Sequence, residues 1–190
     1  MNHSLTIKNY LTRRIPLLRD TALVLFASIL ISLSGFIKIP LGFTPVPFVI
    51  QVQVVLFASL LLGKKRGALA TLLFLFQGLL GFPVFSGGSS GWTYMLGATG
   101  GYLFGYLVAA YATPALYTAF RRKSFSAVFF SSVLGNLIIY TFGALWLSRF
   151  VGLNQALSLG VMPFILGDLV KITLTTGFYS NLKAMKLFSS

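Results

Sequence analysis

The chain has 190 residues, 56% of them hydrophobic and only 9% charged, a composition too apolar and too poor in charge for a disordered segment or an ordinary water-soluble domain. Fifteen Lys and Arg stand against two acidic side chains, Asp20 and Asp168, with no Glu, no Cys and a single histidine, His3. That inventory leaves no disulfide framework, no thiolate or imidazole metal centre and little ground for carboxylate-pair catalysis, so no enzyme, metal or cofactor is expected.

A helix that crosses about 30 Å of hydrocarbon needs roughly 20 mostly apolar residues. Six runs approach that length: Thr21 to Ile37, Pro47 to Leu62, Ala68 to Leu80, Ala98 to Phe120, Phe125 to Leu147 and Leu159 to Leu182. They are hydrophobic all round, as spans are, rather than striped like surface helices. The first run is longer than the apolar core of a signal peptide and has no convincing cleavage site, so it is read as a retained span. Asp20, beside Arg19, reads as a helix-start or interface residue.

The cations between the runs supply an independent test, because short cytoplasmic loops carry an excess of Lys and Arg. With the N-terminus inside, the inner segments hold Lys8, Arg13, Arg14 and Arg19, then Lys64, Lys65 and Arg66, then Arg121, Arg122 and Lys123, then Lys183 and Lys186. The outer segments hold Lys38 and Arg149, and Lys171 lies within the sixth run. The net charge of +13 is therefore mainly topological, and nucleic-acid binding is not expected. The expected fold is all-α: one membrane domain with residues 1–20 inside, a six-helix bundle over 21–182, and an inner tail over 183–190.

Two outer segments are unlike plain connectors. Lys38 to Pro47 contains three prolines, which stop a helix and force extended backbone. Gly81 to Tyr94 sets Phe82, Val84, Phe85 and Trp92 among glycines, and it reads either as an interfacial loop or as one folded over a cavity. In the fourth run Gly97, Gly101, Gly105, Ala109 and Thr113 recur at steps of four, a small-residue ridge for close helix approach. No strand precedes these glycines and no P-loop occurs, so any ATPase belongs to another subunit.

The strongest local signal is Asp168 with Lys171, three residues apart on one face of the sixth run, a face that Phe164 and Thr175 extend. Ionisable groups within a span are costly and usually face a ligand path. Counted from Leu159 at 1.5 Å per residue, Asp168 is expected about 13 Å down the helix, accessible from outside. The adjacent cation favours ligand recognition over proton relay: Lys171 donates, Asp168 accepts, and a fitting ligand carries both an anionic group and N–H donors. Gln51, Asn136 and Tyr140 are further polar candidates within spans, and Trp92 and Tyr94 cap a ligand or anchor at the interface.

The chain resembles the BioY family, the biotin-specific S components of energy-coupling factor (ECF) transporters. The resemblance rests on Pro45-Val46-Pro47 followed by Gln51, Gly81-Phe82-Pro83-Val84-Phe85, Thr99-Gly100-Gly101-Tyr102, and Pro163-Phe164 with Gly167-Asp168 and Lys171, in family order from about Ala22 to Lys183. It implies a six-helix protein of the bacterial cytoplasmic membrane that captures biotin from outside. It also implies a transmembrane T component and two ATPase subunits as partners, with solitary function left open. The implied substrate-binding residues are Asp168 and Lys171, with Asp168 accepting from the ureido N–H groups and Lys171 attracting the carboxylate or supporting the polar network, roles that can be exchanged. Phe85, Trp92 and Tyr140 are the expected apolar walls. The competing readings are an S component for another small vitamin, an intramembrane enzyme acting on a lipid or prenyl substrate, and a structural membrane subunit.

Overall fold

The computed structural model describes the backbone of residues 3–184 and the side chains of residues 17–183. The expectations for His3, Lys8, Arg13, Arg14 and Lys186, and for most of the tail, lie outside the described side chains. The chain folds into helices: α1 (His3–Ser34), α2 (Gln51–Leu62), α3 (Lys64–Leu79), α4 (Gly91–Leu96), α5 (Gly100–Ala119), α6 (Phe125–Val151), α7 (Leu153–Gly160) and α8 (Ile165–Ala184). A two-stranded antiparallel hairpin joins α1 to α2, with β1 (Lys38–Ile39) pairing Lys38 with Val49 and Ile39 with Phe48 of β2 (Phe48–Val49). Pro40, Pro45 and Pro47 lie between the strands, where missing N–H groups and fixed φ suit a non-helical loop.

Three segments are long and apolar enough to cross a membrane: Leu17–Ser34, Phe125–Val151 and Leu153–Lys183. Their outward faces are greasy. On α8, Leu166, Val170, Leu174 and Phe178 are exposed at steps of four, one stripe of a helix with 3.6 residues per turn. On α6, Phe130, Leu134, Leu137, Phe142 and Leu145 are exposed at steps of three to five. A contiguous apolar surface on this scale belongs against lipid. The interior holds Ile31, Leu56, Phe74, Phe85, Ile139 and Leu147, all fully buried.

The small-residue ridge performs its expected role on α5, which packs closely on α6. A Cβ on Gly105 would stand 2.9 Å from Ile139 Cα, and one on Gly101 would collide with Trp146 and the Phe142 carbonyl. Gly97 departs from the expectation. It lies between α4 and α5, where its carbonyl accepts a 2.9 Å hydrogen bond from Trp146 Nε1.

Three boundaries also depart from the sequence reading. The first helix begins at His3, so Asp20 is a mid-helix residue that bridges α1 to α3 through a 2.9 Å ion pair with Arg66. The second outer segment is not loop throughout, because α4 starts at Gly91. The sixth run is broken: α7 ends at Gly160, a 3₁₀ turn covers Met162–Phe164, and α8 starts at Ile165. Pro163 is the physical cause, since it has no N–H for the helix ladder and is favoured at the start of a turn.

Most of the described cations gather at one end of the bundle. Arg66 meets Asp20, Lys64 lies over the Tyr111 ring, and Lys123 and Lys183 lie over Tyr117. The hairpin, α4 and Arg149 of the last turn of α6 lie at the other end.

Candidate ligand site

The helix break puts Asp168 in the first turn of α8, about 4.5 Å along the axis from Ile165, rather than 13 Å down a continuous helix. The change matters electrostatically, because the unpaired N–H groups of a helix start favour a negative charge there. Asp168 is 4% exposed. Its Oδ1 meets Lys171 Nζ at 2.5 Å, and its Oδ2 accepts from Tyr140 Oη at 2.5 Å and Asn136 Nδ2 at 3.1 Å. Three donors from two helices therefore fix one carboxylate. A carboxylate has about four lone-pair sites, so the network leaves acceptor capacity for a ligand.

Lys171 reaches across to the hairpin. Its Nζ donates to the Val49 carbonyl at 2.8 Å and sits 3.9 Å from the centre of the Phe48 ring, which is stacked in turn on Phe164. This aromatic face and the carbonyl help offset the cost of holding an ammonium away from bulk water.

The pair lies at the wall of a small cavity with a free volume of about 50 Å³. Apolar and aromatic groups dominate its lining: Val46, Pro47, Phe48, Val52, Leu103, Ile139 and Phe164, with Tyr94, Tyr102, Tyr106 and Tyr140. Polar groups are few: Gln51, Ser86, Thr99, Asp168 and Lys171. Beyond it is a wider vestibule of about 730 Å³ that shares Pro47, Ser86, Tyr94 and Thr99 with the cavity and is also lined by Lys38 and Thr44. Thr44 Oγ1 donates to the Leu159 carbonyl at 2.8 Å, tying the proline-rich loop to α7. Gly87 N donates to the Gly35 carbonyl at 2.8 Å, tying the glycine-rich loop to the segment just after α1. The segment expected either at the interface or over a cavity thus contributes Ser86 and Tyr94 to the cavity wall.

Asp168, Lys171, Tyr140 and Gln51 converge on this cavity, and Asn136 stands behind them, joined through Asp168. Gln51 is 1% exposed, and its Nε2 donates to the Ile31 carbonyl at 3.0 Å and the Val84 carbonyl at 3.2 Å, joining α1 to the glycine-rich loop. Two expected walls are elsewhere. Trp92 is 64% exposed and outside the cavity lining, because α4 turns its indole away from the cavity. Phe85 is fully buried behind the wall, stacked on Tyr94 with ring centres 5.4 Å apart and edge-on to Phe74. Phe164 lines the cavity from the 3₁₀ turn rather than from the helix of Asp168.

Sequence reasoning missed Ser86 and Tyr106. Ser86 is 7% exposed and its hydroxyl has no hydrogen-bond partner among the described residues, although it borders both cavity and vestibule. Tyr106 is 4% exposed and follows Tyr102 by four residues, a pairing on α5 that was visible in the sequence as two phenols on one face. Tyr102 Oη donates to the Gly160 carbonyl at 2.7 Å and so pins the end of α7.

Comparison with known proteins places this architecture. The BioY family model matches residues 1–187. A relative from Pyrococcus horikoshii, named "Probable biotin transporter BioY", is 39% identical over 153 residues, covering 80% of this chain and 89% of its own. The "Biotin transporter BioY" of Thermotoga maritima is 37% identical over 159 residues, covering 83% of this chain and 92% of its own. Among solved structures, the S component for biotin from an ECF-type ABC transporter superposes with a TM-score of 0.78 at 28% identity, covering 90% of this chain and 95% of its own. The helical fold, the apolar outer surface and these matches together show that the chain is a membrane protein of the BioY family.

Proposed function

We propose that this chain is a biotin-capturing S component of a bacterial cytoplasmic membrane, with six spans, both termini inside, and no catalytic activity of its own. The observation that carries the reading is the Asp168–Lys171 pair, held by Tyr140 and Asn136 at the wall of an otherwise apolar cavity beneath a vestibule. Biotin offers ureido N–H donors, an apolar body and a carboxylate. An apolar pocket with a few orienting polar groups suits that combination. Asp168 takes the ureido N–H groups, and the apolar body lies against Phe164, Ile139 and the tyrosines. Lys171 supports the polar network, since its ammonium is already engaged with Asp168 and Val49.

Ligand pockets usually exceed about 300 Å³, so the cavity of about 50 Å³ must widen to admit biotin. The movable walls are the proline-rich loop of residues 40–47 and the glycine-rich loop around Ser86, which separate cavity from vestibule. Gathering of most of the described cations at one bundle end supports the placing of that end inside. The family resemblance points to an ECF T component with two ATPase subunits as the source of energy for release, with solitary function the alternative; the chain itself has no phosphate-binding loop.

The test is titration of biotin against the purified full chain, with Asp168→Asn and Lys171→Ala alongside. Charge-assisted hydrogen bonds contribute about 1.5–3 kcal/mol, so Asp168→Asn is expected to weaken binding about ten- to a hundredfold. Absence of binding by folded native protein overturns the biotin assignment, and unchanged affinity in both variants overturns the site.

A further inference from the structure

At the bundle end opposite the ligand cavity, α5 ends, α6 begins and α8 ends around a cleft of about 260 Å³. Lys123 and Lys183 both line it, with Tyr117, Phe125, Tyr179 and Ser180. The two ammonium groups converge on one tyrosine: Lys123 Nζ lies 5.2 Å and Lys183 Nζ 5.4 Å from the centre of the Tyr117 ring. Lys183 Nζ donates to Tyr117 Oη at 2.7 Å. Lys123 Nζ is fixed by the carbonyls of Tyr117, Thr118 and Phe120 at the end of α5.

Two cations drawn to one ring repel each other, and the carbonyls at the end of α5 offset the charge of Lys123 only in part. The chain has no acidic side chain to set between them, because both of its carboxylates are engaged elsewhere, Asp20 with Arg66 and Asp168 with Lys171. The start of α6 adds a further positive end to the cleft, capped by Ser124. One wall is apolar and outward-facing: Phe125 is exposed beside the buried Val128. A ligand that satisfies both walls carries a compact anion and an attached hydrocarbon chain.

We propose that this cleft binds the headgroup of an anionic phospholipid, with the phosphate drawn to Lys123 and Lys183 and an acyl chain along Phe125. Basic pockets between spans are suited to such headgroups. The inference rests on the chain lying in a membrane and is independent of what fills the outer cavity.

Native mass spectrometry of the full chain in detergent, titrated with phosphatidylglycerol, tests it. One lipid is expected to be held about tenfold more weakly, or worse, by the Lys123→Gln/Lys183→Gln pair. Lys64→Gln/Lys65→Gln removes the same charge from the same end and is expected to leave that lipid in place. Lys183→Gln alone keeps the Lys123 cap on α5 intact and is expected to show part of the loss, so misfolding of the pair does not decide the result. Equal losses in the two pairs, no loss in either, or displacement of the lipid by millimolar inorganic phosphate would overturn the assignment.

Discussion

Tyr140 and Trp92 are both aromatic residues of the bundle half that holds the cavity, yet the structure gives them opposite surroundings. The Tyr140 hydroxyl donates to Asp168, so Tyr140→Phe removes one hydrogen bond while leaving the ring in place. A loss of about 1 kcal/mol, roughly fivefold in biotin affinity, is expected in equilibrium titration. Trp92 is 64% exposed, and Trp92→Ala is expected to leave affinity within about twofold, since exposed substitutions seldom exceed about 0.5 kcal/mol. The polar members of the site were legible because a charged pair within an apolar run is costly and stands out by type alone. Its aromatic members were less so, since Phe85, Trp92 and Tyr94 share one short segment and only the turn into α4 decides which ring faces inward. Ser86 left no trace in the sequence, because a serine among glycines looks like a turn residue until its hydroxyl is seen buried without a partner among the described residues.

Among elements, the proline-rich loop and the α5–α6 pair offer contrasting tests. Thr44 Oγ1 is a long-range tether from the loop to the Leu159 carbonyl. Thr44→Ala is expected to accelerate biotin dissociation about fivefold in a chase experiment while changing association little, because the tether acts once the loop is seated. Gly101 faces Trp146 and the Phe142 carbonyl with no room for a side chain. Gly101→Leu is expected to cost about 1–3 kcal/mol by overpacking, read as a lower thermal midpoint of the detergent-solubilised protein. The step-of-four spacing revealed this packing in advance, because small residues on one helix face have a direct steric meaning. The break before α8 was harder to place. Pro163 was visible, but apolar residues continue on both sides of it, and hydrophobicity alone does not distinguish one span from a short helix, a turn and a second helix.

For the whole molecule, orientation is the property to test. The sequence contains no cysteine, so single cysteines report cleanly. Asn154→Cys at the start of α7 is expected to react with an impermeant maleimide added to intact cells, and Ser124→Cys before α6 only after the membrane is opened. The reverse pattern would invert the proposed topology. The helical, membrane-embedded character of the chain was legible because long apolar runs with few charges leave little other reading, while the narrowness of the cavity was not, since it depends on how two irregular loops meet. The Asp168 network also has a mechanical meaning. It links the β2 carbonyl of Val49, the α6 groups of Asn136 and Tyr140, and α8 itself, while the opposite side of α8 carries Leu166, Val170 and Leu174 toward lipid. Rolling α8 about its own axis would tear those bonds and turn a carboxylate into hydrocarbon. Inward delivery of a ligand that keeps the network intact must therefore carry hairpin, α6 and α8 as a single stiff lever, with the bending confined to the loops around them.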